Sequence, residues 1–192
     1  MKKILTLASL LALTLVSVAI AASETPTTGD DNIKGTEGND TINALAGNDK
    51  VSGRDGNDIL DGDLGNDHVR GGAGDDEVNG DAGNDRLKGG KGADKLEGDA
   101  GDDRLKGGKG ADDLDGGDGA DRINAKGGGR KSGPDTVNCG AGDGDVDVVR
   151  ADRNDTVTGC GPEDMVKQKG RKKGDEDPSQ RKGKRKGHAR RA

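Results

Sequence analysis

Ten aspartates stand at intervals of nine residues along this chain: Asp40, Asp49, Asp58, Asp67, Asp76, Asp85, Asp94, Asp103, Asp112 and Asp121. Carboxylates at a fixed spacing are hard oxygen donors. Each lies beside glycine-rich backbone, whose carbonyls are donors of the same kind. That set suits calcium, whereas zinc and copper favour thiolate and imidazole. The ten aspartates are therefore the candidate metal ligands. Catalytic chemistry has little to work with. The two histidines, His68 and His188, have no paired nucleophile, and there is no His-Glu-x-x-His segment. The chain reads as non-enzymatic, with no catalytic residue.

The elements that must position these carboxylates follow from the rest of the repeat. Each aspartate is the sixth residue of a unit reading Gly-Gly-x-Gly-x-Asp-x-aliphatic-x, and ten units run from Gly35 to Asn124 without insertion or deletion. The eighth position is always aliphatic: Ile42, Val51, Leu60, Val69, Val78, Leu87, Leu96, Leu105, Leu114 and Ile123. Glycines permit a tight turn over the first six residues. A three-residue strand follows, with only the central aliphatic pointing inward. Position five is usually Asn or Asp and could assist a ligand set, but Ala93, Ala111 and Ala120 show that it is not required in every turn. A partial copy, Asp31-Asn32-Ile33-Lys34, precedes the first unit.

One strand and one turn reverse direction once, so two units make a complete coil. Residues 80–97 recur as residues 98–115 with three differences, a duplication two units long. One inward aliphatic per nine residues is a thin core, and stacked aspartates repel one another. The repeat region should therefore fold only when cations bridge successive coils. The competing reading is a glycine-rich acidic spacer that never folds.

The nonapeptide resembles the calcium-binding repeats of the repeats-in-toxin (RTX) family. The resemblance implies an all-β, right-handed parallel β-roll with several calcium ions between turns of successive coils. Position-six carboxylates and turn carbonyls would hold them. Carried onto this chain, Asp49, Asp67, Asp85, Asp103 and Asp121 line one side, and Asp40, Asp58, Asp76, Asp94 and Asp112 the other. Family toxins leave the cell through an uncleaved C-terminal signal, a pattern from which this chain departs.

Its own start is different. Residues 1–21 carry Lys2 and Lys3, then an apolar run ending Ala19-Ile20-Ala21, which reads as a secretory signal peptide cut after Ala21. The expected location is extracellular, with no membrane span in the mature chain. Residues 22–34 read as a linker, 125–132 as a loop, and 133–164 as a capping coil containing Asp135-Thr136-Val137 and Asp155-Thr156-Val157. This ending resembles the Cys-bracketed close of secreted bacterial calcium-binding proteins of the family. Cys139 and Cys160 are the only cysteines and should pair in an oxidising exterior. Residues 165–192 form a basic tail. From Lys167 onward it carries 12 Lys or Arg against three acids.

Outward positions seven and nine divide by charge if alternate units stack. One sheet then exposes Lys50, His68, Arg70, Arg86, Lys88, Arg104, Lys106 and Arg122. The other exposes Asp61, Glu77, Lys95, Glu97, Asp113 and Asp115. The pattern is either a tolerated, duplicated surface or a docking face for an anionic polymer or for a second copy. No aromatic residue occurs anywhere, so specific nucleic-acid binding is not expected. Two function classes follow. The first is a stand-alone secreted calcium-binding module. The second is a polyanion-binding or antimicrobial-type protein acting through its basic tail, with the roll as carrier.

Overall fold

In the computed structural model, residues 25–127, 133–140 and 145–168 are described. The expected signal peptide and the tail beyond Gln168, with His188, lie outside the described residues, as do parts of the expected loop and cap.

Among the described residues there are fifteen short strands, one for each of the ten units and five beyond them. They are β1 (Asn32–Lys34), β2 (Thr41–Asn43), β3 (Lys50–Asp55), β4 (Ile59–Asp61), β5 (His68–Ala73), β6 (Glu77–Asn79), β7 (Arg86–Lys91), β8 (Lys95–Glu97), β9 (Arg104–Lys109), β10 (Asp113–Asp115), β11 (Arg122–Asn124), β12 (Thr136–Asn138), β13 (Val148–Ala151), β14 (Thr156–Thr158) and β15 (Met165–Gln168). Odd strands form an eight-stranded sheet in chain order, and even strands a seven-stranded sheet. Every pairing is parallel, and within the repeats partners are 18 residues apart, as in Val51↔Val69 of one sheet and Val78↔Leu96 of the other. Two units per coil, and the all-β parallel roll, are what the structure has.

The core is a file of single aliphatics between the two sheets. Ile33, Val51, Leu60, Val69, Val78, Leu87, Leu96, Leu105, Leu114, Ile123, Val137 and Val149 are all buried. Burial alternates along the strands of the repeats because successive side chains point to opposite faces.

The roll is longer than the ten units. Residues 22–34 were expected to be linker, yet β1 lies among them, pairs with β3 and buries Ile33. The expected single capping coil holds β12, β13 and β14, and β15, inside the expected tail, pairs with β13. Val137 and Val149 continue the buried file after strict spacing is lost, Val157 is partly buried, and Val166 at the end of the roll is exposed.

The two kinds of turn are not equivalent. After β3, β5, β7 and β9 the sheet continues through the second and third positions of the next unit, pairing Arg54↔Gly72↔Gly90↔Gly108. After even strands the second position is Leu45, Asp63, Asp81 or Asp99 at φ between 64° and 77°. There the preceding side chain steadies the turn: Asn43 Oδ1 accepts from Leu45 N–H, and Asn79 Oδ1 from Asp81 N–H. Asn and Asp favour this local closure.

Candidate metal centre

Each position-six aspartate ends a turn and starts a strand, so its side chain lies at the roll's edge beneath the next coil. Its Oδ1 accepts the backbone N–H of the aspartate one coil earlier. This builds two ladders. One runs Asp31, Asp49, Asp67, Asp85, Asp103, Asp121, Asp147, Asp164, with N···O distances of 2.6 to 2.9 Å. The other runs Asp40, Asp58, Asp76, Asp94, Asp112, Asp135, Asp155, at 2.9 to 3.2 Å. The two sides hold the ten expected residues as the repeat phase sorts them. Asp31, Asp135, Asp147, Asp155 and Asp164 extend the ladders beyond the candidate set. Asp147-Val148-Val149 and Asp164-Met165-Val166 carry the same Asp-x-aliphatic signal and could have been found by it.

The second carboxylate oxygen decides the chemistry. Oδ2 of Asp49, Asp58, Asp67, Asp76, Asp85, Asp94, Asp103 and Asp112 is buried without a hydrogen-bond partner. Buried acceptors are normally paired, so such a row calls for a ligand. In most of these turns Oδ2 lies over the first glycine of its own unit. A methyl placed on Gly53 would come within 2.0 Å of Asp58 Oδ2 and 2.9 Å of the Gly71 carbonyl oxygen, one coil on. On Gly98 it would meet Asp103 Oδ2 at 2.4 Å and the Gly116 carbonyl at 2.3 Å. A carboxylate oxygen and a neighbouring carbonyl thus converge where a side chain would otherwise be. Ala44 takes this place in the second unit and is fully buried.

Burial, reinforced by the like charges above and below, pushes these carboxyls up despite the N–H bonds that oppose it. Asp67, Asp76 and Asp85 rise to about 6, Asp94 to about 7 and Asp103 to about 8. Asp49, Asp58 and Asp112 move in the same direction. Without a cation, burial shifts the interior of each ladder towards the protonated acid. All-oxygen donors, unpaired buried oxygens and this need for positive charge fit calcium.

The ladder ends are closed by the chain itself. Asp31 Oδ2 accepts from Thr27 N–H at 2.7 Å and Thr27 Oγ1 at 3.0 Å, and Asp40 Oδ2 accepts from Thr36 N–H at 2.6 Å and Thr36 Oγ1 at 3.2 Å. At the far end Asp152 N–H donates to Asp155 Oδ2, and Gly161 N–H to Asp164 Oδ2 at 2.5 Å. Asp40 therefore stands in the ladder but differs from the interior candidates.

Position five also carries a hydrogen-bond ladder. Asn48 Oδ1 accepts the N–H of Asn66, Asn66 Oδ1 that of Asn84, and Asn84 Oδ1 that of Asp102, an outer ladder tying coil to coil. Cys139 and Cys160 are joined in a disulfide, with Cα atoms 5.0 Å apart. Asp164 lies close to both sulfurs, but a disulfide has no thiolate to give a metal.

The chain matches no individual curated protein. The family model for the RTX calcium-binding nonapeptide repeat matches in four copies, at residues 26–60, 52–87, 61–96 and 88–123, which together cover just over half the chain. The matched span begins within the expected linker and takes in β1, in agreement with the extended roll. With its phased aspartates, stacked coils and oxygen-lined turns, the chain belongs to the RTX calcium-binding nonapeptide repeat family.

Proposed function

We propose that this chain is a secreted calcium-binding module whose roll folds as it takes up extracellular calcium. Calcium binding accompanies the repeat family. The observation that carries the rest is the row of buried carboxylate oxygens without partners, each ladder running the length of the repeats. Bound calcium would supply the positive charge that this row lacks, and with it folding free energy.

The chain's own residues do the remaining work. The first-position glycines leave room beside each carboxylate except Asp49, where Ala44 stands, and the Oδ1 bonds hold each side chain in one orientation. The interior aspartates are the ligands in this reading, with Asp49, Asp67, Asp85 and Asp103 on one edge and Asp58, Asp76, Asp94 and Asp112 on the other. In this reading the chain acts as a binding module and not as an enzyme; among the described residues its fully buried ionisable groups belong to the ladders. Residues 1–21 direct export, which keeps the roll unfolded in calcium-poor cytoplasm and lets it fold outside.

Circular dichroism of the full chain tests the folding step. Disordered backbone in chelator should convert to β structure in millimolar calcium but not in equal magnesium, whose octahedral demand fits such a cleft poorly. A full β signal in chelator would refute it. Export is tested by N-terminal sequencing of protein recovered from the medium, which should begin at Ala22.

A further inference from the structure

Beyond the calcium sites, the eight-stranded sheet carries a second feature. Where the odd strands run on into the following turn, the sheet carries a groove of about 550 Å³. Its floor is backbone: Gly72, Gly90, Gly108 and Gly127. A methyl on Gly90 would lie 2.1 Å from the Gly72 carbonyl oxygen, and one on Gly108 2.3 Å from that of Gly90, so the floor stays bare.

Cations line both sides. Arg70, Lys88 and Lys106 form one rail, from the ninth position of successive odd-strand units, and Lys91 and Lys109 the other, from the third. Arg54 and Lys126 stand at the ends, with Asp55 the one acid in the lining. Since the same positions recur once per coil, the groove follows the roll axis for roughly 19 Å, four strand spacings. None of these cations has an ion pair among the described residues, whereas Lys95 on the opposite sheet pairs with Glu77 and Glu97. The ninth-position rail repels itself: Arg70 and Lys106, with burial, lower the Lys88 ammonium.

We propose that this groove binds a single linear acidic polysaccharide laid along the roll axis, its carboxylate or sulfate groups alternating between the two rails. A chain of linked sugar rings advances by about one strand spacing per ring, so its charges fall in step with the coils. A narrow lane with a bare floor admits one polymer strand, not the flat acidic sheet of a second copy. Nucleic acid would find charge but no aromatic side chain on which to stack a base. The site exists only in the folded roll and so rests on the calcium reading.

The test uses the full chain in millimolar calcium, its fold first verified by circular dichroism, with a fluorescent heparin decasaccharide as probe. K88E/K91E/K106E/K109E should bind about thirtyfold more weakly, each exposed charge contact being worth roughly two- to threefold. The control K50E/R86E/R104E/R122E reverses as many charges on the same sheet outside the groove and should retain most of the binding. Binding by the parent should fall steeply with salt. The neutral set K88Q/K91Q/K106Q/K109Q, which relieves repulsion, keeps the test valid if the reversed set fails to fold. Equal losses in the groove and control sets, or equal binding of a single-stranded oligonucleotide of matched charge, would overturn the proposal. A protein without β structure in calcium would instead count against the calcium reading.

Discussion

Asp85 and Asp103 are 18 residues apart in the chain and one coil apart in space. The backbone N–H of Asp85 donates to Asp103 Oδ1 at 2.7 Å, while Asp103 Oδ2 is buried with no such partner. One oxygen therefore builds the stack and the other is left for a ligand. This division of labour separates a structural contribution from a metal-binding one in the same side chain.

Asp103→Asn tests that separation. The amide keeps an acceptor for Asp85 N–H, removes the charge and offers a donor towards the Gly116 carbonyl. The expected outcome is fewer calcium ions per chain in titration calorimetry and a calcium midpoint raised several-fold. The β content reached at saturation should be unchanged. A variant with unaltered stoichiometry and midpoint would remove Asp103 from the ligand set.

The raised carboxyls set the pH dependence of the calcium-free chain. In the unfolded state these groups titrate near 3.8, whereas in the roll Asp85 is at about 6, Asp94 at about 7 and Asp103 at about 8. Between those values the folded state holds more protons than the unfolded one, so stability falls as pH rises. The contribution is complete below about pH 4 and gone above about pH 8. Chelated protein should gain β signal as it is acidified from pH 8 to pH 4, and saturating calcium should flatten that dependence. Loss of β signal on acidification would contradict the assignment.

The fourth-position glycines are required by stacking. Gly83 has φ of +142°, and a methyl there would lie 1.6 Å from the Gly65 carbonyl oxygen. Gly83→Ala should cost at least about 3 kcal/mol in the calcium-loaded protein, combining strain with a backbone clash. Asp81→Gly removes a side chain at φ of +64°, and should change stability by no more than about 1 kcal/mol. Chemical denaturation of the two loaded variants distinguishes these outcomes.

The Cys139–Cys160 bridge joins the strand ends of β12 and β14, two neighbours in the seven-stranded sheet. Closing a loop of this length should contribute about 3 kcal/mol. Replacing both cysteines by serine should therefore raise amide exchange in β12, β14 and β15 while leaving β3 to β9 protected. Uniform loss of protection would mean that the whole roll unfolds as one unit.

Much of this architecture was legible because the repeat is local. A turn of six and a strand of three are decided within nine residues, so the phase of the aspartates and aliphatics yields the strands, the core file and the two edges. The 18-residue duplication in residues 80–115 gives the coil, and hence the sorting of Lys50, Arg86 and Arg104 onto one sheet and Asp61, Glu77 and Asp113 onto the other.

The tertiary structure decided what depends on residues a coil or more apart. Which oxygen of Asp103 is occupied depends on where Asp85 lies in the neighbouring coil. Thr27 and Thr36 close the first aspartates, which no earlier coil covers among the described residues, and nothing in the nonapeptide marks that difference. The C-terminal end was legible as one coil only, because its turns vary in length and Asp112, Asp135 and Asp155 stay in one ladder without a common spacing. The groove arises because the odd strands extend through their turns, setting Lys88 and Lys91 on opposite sides of a glycine floor. Sequence order determined the repeating unit, and stacking determined which of its atoms face another coil, solvent or a ligand.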